Sequence, residues 1–368
     1  LPIAVLTYLK PAKNSSQSFF KFAHATAHVA GLSTTLNGGD KVADVPLLKV
    51  SKLVKEFPLG GGLFARTRAR VRAVDGVSFA ISRGETFAIV GESGCGKTTV
   101  GRLILRLIAP SGGHIEFDGQ NIQSLSNNQM RRVRQRMQII FQDPYSSLDP
   151  RMKVDTIVTE PLVAFQRLPK NQRREVAAEL LEKVGLQPAD LDKYPHEFSG
   201  GQRQRIGIAR ALCVQPELIV ADEPVSALDV SIQAQIINLM QDLKHEFNLA
   251  YVFISHDLSV VEHVSNRIAV MYLGTIVELA PADKFSISPR HPYTAALLQA
   301  VPMPDPHCKT DLSPIAGDVP NPIDPPAGCA FHPRCLHTFD NCRAKRPPLI
   351  EVTPQHSVAC WLNEGTGL

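Results

Sequence analysis

An α/β fold organised on a parallel sheet is predicted by three features of the sequence. A glycine-rich loop, Gly91 to Thr99, stands between the apolar run Phe87-Ala88-Ile89-Val90 and a helical pattern. Counting that run, four short apolar runs stand along the chain, and the last three each close on a polar residue. A stretch of helical periodicity is inserted between the second and third of these runs.

The loop reads Gly91-Glu92-Ser93-Gly94-Cys95-Gly96-Lys97-Thr98-Thr99 and fits G-x-x-x-x-G-K-[ST]. Val100, Leu103, Ile104 and Leu107 follow at helical spacing, so the context is strand, loop, helix. Glycine there lets backbone N–H groups turn inward to phosphate oxygens, and the helix N-terminus adds its positive dipole end. Lys97 reaches the β- and γ-phosphates, the Thr98 hydroxyl can hold Mg²⁺, and Ser93 and Thr99 complete the nucleotide-contacting stretch. A chance match in a chain this long is an event of on the order of one per cent. The motif therefore implies binding of a nucleotide triphosphate.

Taken in order, residues 1–45 begin with Leu and hold no acidic residue before Asp40, with Lys10, Lys13 and Lys21 among Ser, Thr and Ala. They read as a poorly ordered leader or the remnant of an upstream segment; a targeting segment would usually be Arg-rich, and this one has no Arg. From Leu47, the run Leu48, Val50, Leu53, Val54 leads to Phe57. A Gly- and Arg-rich stretch, Gly60 to Arg72, then precedes Ala73–Phe79. Two strand-like runs thus flank a long loop in which Arg66, Arg68, Arg70 and Arg72 are expected to be solvated. Phe57 either stacks on an adenine ring or belongs to the core.

Met137–Phe141 ends in Gln142-Asp143, Leu218–Ala221 in Asp222-Glu223, and Tyr251–Ile254 in Ser255-His256. Near-continuous apolar runs of this kind are strands buried on both faces of a parallel sheet. Their carboxyl ends are the edge where ligands bind in open α/β sheets. Between Gln142 and Glu197 the pattern is helical, with Val176, Leu180, Leu181 and Val184 on one face and Leu186-Gln187-Pro188 as its stop. The insert closes at Phe198-Ser199-Gly200-Gly201-Gln202, where Ser and two glycines open another helix and make a second anion site.

The 368 residues allow one large nucleotide-binding unit with an appendage, or two modest domains. A formal charge of +4 does not itself require a nucleic-acid partner, and no basic run is interleaved with aromatics as a stacking surface would need. No apolar run approaches the ~18 residues of a membrane span. Residues 281–326 are dense in proline, which excludes a long helix or central strand and leaves a connector with one short helix at Tyr293–Val301. Of seven cysteines, Cys95 and Cys213 lie in the motif-bearing segments and Cys308 in the connector, while Cys329, Cys335, Cys342 and Cys360 form C-x5-C-x6-C-x17-C. Cys95 is read as a tolerated small residue rather than a redox group. In the reducing cytosol of a nucleotide hydrolase the tail cysteines suit Zn²⁺ or an iron–sulfur cluster, with His332, His337 and His356 as substitutes if zinc is bound. Reduced, buried cysteines without a metal are the alternative.

At this point the residues resemble the ATP-binding-cassette ATPases from about Leu47 to Leu279. The phosphate loop, Gln142, the Phe198–Gln202 signature, the Leu218–Glu223 strand, Ser226-Ala227-Leu228-Asp229 and His256 stand in that family's order. The resemblance implies a cassette with a RecA-like core, an antiparallel β subdomain and a helical subdomain at about 143–197, filling residues 46–280. A connector and a Cys-containing extension would fill 281–368. It implies that Asp222 positions Mg²⁺ beside Thr98, that Glu223 is the general base toward the attacking water, and that His256 contacts the γ-phosphate and holds that base. Gln142 would sense Mg²⁺ and the lytic water while its loop faces a membrane partner. Ser199, Gly200, Gly201 and Gln202 would cover the ATP of a second cassette, with Asp229 communicating across the dimer.

Phe141–Pro150, Arg290-His291-Pro292-Tyr293-Thr294 and the trailing cysteines further resemble the dipeptide/oligopeptide importer group, in particular the ATPase subunit commonly labelled F. That resemblance implies the motor subunit of a peptide importer at the cytoplasmic face of the cell's inner membrane. Its partners would be a second cassette ATPase, two permease subunits and an extracytoplasmic peptide-binding protein, and its tail would carry a [4Fe–4S] cluster on Cys329, Cys335, Cys342 and Cys360. An importer of nickel or another small solute, and a soluble cassette ATPase outside transport, are the alternatives. The long coiled coil or paired cassettes of the latter are not seen in the sequence.

Overall fold

Five parallel strands, the four expected and one more, make one side of an eight-stranded sheet in this computed structural model, which describes residues 45–59, 69–165, 168–300 and 317–363. The expected strands are β3 (Thr86–Val90), β6 (Met137–Ile140), β7 (Leu218–Asp222) and β8 (Ala250–Ile254); the fifth, β9 (Arg267–Tyr272), lies beside β3. Parallel pairing runs β6–β7–β8–β3–β9. The continuous apolar runs follow from burial on both faces. Phe87, Ile89, Val220, Val252 and Met271 pack on one side with helix α1 (Lys97–Ile104), and Ala88, Val90, Ile219, Ala221, Phe253 and Val270 pack on the other. Adjacent residues of one strand thus belong to two different cores, as the two-residue period of a strand dictates.

The first core is closed by an antiparallel sheet in the order β2-β1-β4-β5. It is built from β1 (Leu48–Leu59), β2 (Ala69–Ile81), β4 (Gly112–Phe117) and β5 (Gln120–Asn121), with α2 (Asn127–Arg136) following. Phe79 of this sheet stacks on Phe87 of β3 at a centroid distance of 4.6 Å. One expectation is corrected here. Arg70 and Arg72 are not loop residues but lie in β2, whose register sets Arg72 opposite Glu56 of β1. Both guanidinium groups donate to the Glu56 carboxylate at 3.0 Å, a cross-strand charge pairing that a reading of the arginines alone does not supply. Arg66 and Arg68 lie outside the described residues.

On the opposite face stand α3 (Val154–Phe165), α4 (Lys170–Lys183) and α5 (Gly200–Leu212). Leu180, Leu181 and Val184 are buried as the periodicity predicts, and Val176 is half-buried. The helical layer does not stop at Glu197: α5 packs against both α3 and α4, so the signature helix belongs to it. Two longer connections, α6 (Val230–Phe247) and α7 (Leu258–Val264), then link β7 to β8 and β8 to β9.

β10 (Thr275–Pro281) pairs antiparallel to β9 and is followed by α8 (Ala282–Phe285) and α9 (Pro292–Gln299), the latter replacing the helix expected at Tyr293–Val301. The chain enters α9 through His291, whose Nδ1 accepts the Tyr293 N–H at 3.0 Å, with Pro292 in the first turn where no N–H is missed. Beyond α10 (Asp340–Ala344), β11 (Ile350–Thr353) and β12 (His356–Val358) form a hairpin, and β12 pairs with β10. The extension therefore completes the edge of the main sheet rather than forming a separate body, which its prolines and cysteines did not suggest. The leader and Cys308 lie outside the described residues. Among the described residues no helix is long and apolar enough to cross a membrane.

Candidate functional site

Because β3, β6, β7 and β8 are parallel, their carboxyl ends share one edge, and the polar residues that follow them meet there. Gly96 takes φ 108° at the cap of α1; a Cβ there would lie 2.2 Å from the Ala73 carbonyl oxygen, so only glycine fits. Gly94 takes φ 80°, and a Cβ there would meet nothing within 4 Å. The loop thus presents bare backbone to open space, the cradle that phosphate oxygens need. A single cavity is lined by Ser93, Gly94, Gly96, Lys97, Thr98 and Thr99 of the loop, by Gln142, Glu223 and His256 from the other strand ends, and by Ala73. Ala73 is the member the sequence reading missed; nothing in its residue type marks it, since β2 brings it there through its backbone.

Lys97 is buried, and its Nζ donates to the carbonyl oxygens of Gly91 at 2.7 Å and Glu92 at 3.0 Å. The Thr98 hydroxyl donates to Asp222 Oδ1 at 2.9 Å. Burial raises the Asp222 pKa, against the lowering effect of that hydrogen bond. A divalent cation would reverse the balance in favour of the carboxylate, so Thr98 and Asp222 fit Mg²⁺. The two supply only part of a shell; the rest would come from phosphate and water, as is usual for this ion.

Glu223 sits one residue past β7 with φ 48°, a left-handed conformation that a non-glycine residue adopts at a cost. Its N–H donates to the Ile254 carbonyl at 2.9 Å, which locks the turn across to β8. The side chain is thereby directed to the cavity, where Gln142 Nε2 donates to its Oε2 at 2.7 Å and His256 Nδ1 lies 3.4 Å from the same oxygen. Cys95 is buried and burial raises its thiol pKa, consistent with a small packed residue and not with a reactive thiolate.

The remaining expected residues are elsewhere. Phe57 is near the end of β1, partly exposed under Lys55 Nζ at 5.0 Å, and does not line the cavity. Ser199 caps α5 in a reciprocal box: its Oγ accepts the Gln202 N–H, and Gln202 Oε1 accepts the Ser199 N–H at 3.0 Å. Gly200 and Gly201 open the helix, and Asp229 precedes α6 at the surface. None of these four-residue signature positions, nor Asp229, lines the cavity.

Cys329, Cys335, Cys342 and Cys360 are brought together around a second, small cavity, with His291, His332 and His337 also in its wall. Burial raises the thiol pKa of Cys329 and Cys335 and pushes that of Cys360 up to about 11. His291 is buried with its Nε2 unpartnered. His356 is not in this wall; its Nε2 is 2.7 Å from Glu278 Oε1. Among the described residues no three His, Cys, Asp or Glu side chains form a group that could hold a metal ion as they stand.

Two family profiles match successive stretches of the chain. The profile described as ABC transporter matches residues 74–226, and that described as oligopeptide/dipeptide transporter, C-terminal region, matches residues 277–342. The chain is 54% identical over 314 residues to the probable peptide ABC transporter ATP-binding protein y4tS of Sinorhizobium fredii, covering 85% of this chain and 89% of that protein. It is 51% identical to the oligopeptide transport ATP-binding protein AppF of Bacillus subtilis, covering 86% of this chain and 97% of AppF. Among solved structures, cbiO1 from Clostridium perfringens, part of the ABC transporter complex cbiONQ, superposes with a TM-score of 0.57 at 27% identity, covering 66% of this chain and 91% of that one. The MJ0796 cassette, dimeric and bound to ADP and Pi in a post-hydrolysis state, gives 0.57 at 28% identity, covering 64% and 98%.

Proposed function

Since the chain belongs to the ATP-binding subunits of peptide ABC transporters, we propose that it hydrolyses ATP at the Gly91–Thr99 edge to drive import of dipeptides or oligopeptides. The observation that carries this reading is the convergence of Gln142 and His256 on one carboxylate oxygen of Glu223 beside the phosphate loop. Lys97 and the loop N–H groups hold the β- and γ-phosphates, and Thr98 with Asp222 holds Mg²⁺. Glu223 is the general base for the lytic water, oriented by Gln142 and His256. Positioning and charge neutralisation carry most of such a reaction. Glu223→Gln keeps the shape and removes the base, so the expected result is loss of hydrolysis by about 100-fold or more with ATP still bound. Wild-type turnover in that variant removes the assignment.

The signature residues Ser199–Gln202 and Asp229 lie outside their own chain's cavity, which supports a role toward ATP held by a second cassette. The exposed Phe141 and Tyr145 on either side of Gln142 suit contact with a permease subunit. The assembly is thus a heterodimer of cassettes on two permeases at the cytoplasmic face of the membrane, fed by an extracytoplasmic binding protein.

The four tail cysteines are the proposed ligands of a [4Fe–4S] cluster. Their convergence on one cavity and the unpartnered His291 in its wall support this, while ligation requires the thiols to shift into range, since no metal-ready group is present among the described residues. When bound, the cluster would serve to crosslink the extension. Iron and sulfide near four per chain with a band near ~400 nm, in anaerobically purified protein, is the expected result. Protein with intact cysteines and no iron would overturn it.

A further inference from the structure

Glu92 occupies a position that the phosphate-loop motif leaves free, yet three residues converge on it. The Arg334 guanidinium grips its carboxylate in a bidentate pair, Nη1 to Oε2 at 2.8 Å and Nη2 to Oε1 at 3.0 Å. Its backbone N–H donates to the Tyr293 hydroxyl at 2.9 Å. Its carbonyl accepts Lys97 Nζ at 3.0 Å. Arg334 and Tyr293 both come from beyond β10, Arg334 from the turn between Cys329 and Cys335. Neither is a surface contact: the Arg334 side chain is 6% exposed and Tyr293 fully buried. The rings of Tyr272, Tyr293 and Phe331 pack together with centroids 4.7 to 5.4 Å apart, which fixes both partners of Glu92 in place.

A second tie reaches the same loop from the other side. Arg346 donates to Asp75 Oδ2 at 2.5 Å and to the Asp75 carbonyl at 3.1 Å. The Asp75 N–H donates to the Gly274 carbonyl at 2.8 Å, and the Gly274 N–H to the Cys95 carbonyl at 2.9 Å. The C-terminal extension therefore grips the phosphate loop at Glu92 and, through β2 and the β9–β10 turn, at Cys95.

We propose that the C-terminal extension sets the conformation of the phosphate loop for ATP, with Arg334 and Tyr293 as positioning residues acting through Glu92 and Lys97. This rests on the reading of Gly91–Thr99 as the ATP site. A charge-assisted, bidentate pair with little exposure is the strong kind of hydrogen bond, and it fixes orientation as well as distance. A loop held in its binding shape before the ligand arrives spares the ordering cost of binding. Released from Arg334, Glu92 no longer fixes the carbonyl that holds Lys97.

The test is Mg-ATP affinity by isothermal titration calorimetry on the full chain, with nucleotide-free thermal unfolding of the same samples. Arg334→Gln and Glu92→Gln are each expected to weaken binding by roughly tenfold, and the double variant by no more than either alone, because one interaction is removed in all three. Tyr293→Phe, which keeps the packed ring and loses only the acceptor, is expected to weaken binding about threefold. Wild-type affinity in Tyr293→Phe and in Arg334→Gln, whatever their melting temperatures, would reduce the contact to a brace of the fold and overturn the proposal. So would losses that multiply in the double variant. Should Arg334→Gln fail to fold, Tyr293→Phe decides. A wild-type chain that binds no ATP would remove the ATP-site reading itself, an outcome distinct from any of these.

Discussion

At the scale of single residues, the chemistry here depends on where a backbone turn aims a carboxylate. Glu223 follows Asp222 directly, yet one contacts Thr98 and the other Gln142 and His256. The left-handed φ of Glu223 separates them, and no residue type in the sequence announces it. Glu278 shows the same dependence on surroundings. Fully buried in β10, it would have its pKa raised by burial alone. Hydrogen bonds from His356 and from the N–H groups of Arg290 and His291 more than reverse this, so its folded pKa lies below the ordinary 4.5. A carboxylate with a depressed folded pKa stabilises the fold fully above its unfolded value and loses that contribution as pH falls through the folded one. Glu278→Gln is therefore expected to cost about 3 kcal/mol at neutral pH by breaking a buried pair. The gap to wild type should narrow below pH 4.5; urea unfolding of both proteins at stepped pH measures it, and a gap that does not change with pH contradicts the account.

At the scale of elements, close approaches decide which small residues are needed. Gly201 is the second residue of α5, and a Cβ there would lie 2.5 Å from Ile232 Cγ2 of α6. The glycine of the signature thus serves packing within this chain, besides any contact with a partner's nucleotide. Gly201→Ala is expected to destabilise by about 1–3 kcal/mol, the range for forcing an extra methyl into a packed site. Ile232→Ala in the same chain should restore much of that loss in thermal unfolding. Gly200, by contrast, has its nearest neighbours at 3.4 Å or beyond and is not expected to show this rescue. The strands follow a different rule: β3, β7 and β8 were readable because every position in them is buried, leaving an unbroken apolar run. β11 and β12 carry His356, Ser357 and Glu351 in short segments, and their pairing is dictated by the free edge of β10 rather than by their own pattern.

At the scale of the whole molecule, the cassette and its extension share one sheet and one core. Phe331 from the cysteine region packs with Tyr272 of β9 and Tyr293 of α9, in the same cluster that holds the helical layer against the sheet. Two profiles match successive stretches of the chain, but the structure joins them, since β12 adds to β10. Cys335 directly follows Arg334 along the chain, so a change at that cysteine is one ion pair from the phosphate loop.

By itself the sequence determined the α/β class, the phosphate loop and the order of polar residues at the strand ends, because each is encoded locally in burial period, glycine placement and spacing. It also carried the family resemblance through contiguous motifs. Only the tertiary structure decided that Gln142, Glu223 and His256 meet at one oxygen, that Ala73 backs the loop, that Arg70 and Arg72 are paired strand residues, and that Arg334 reaches Glu92. The two ends of that last pair are separated by most of the chain, and contacts of that range depend on how β9, β10 and α9 pack, which no local pattern contains.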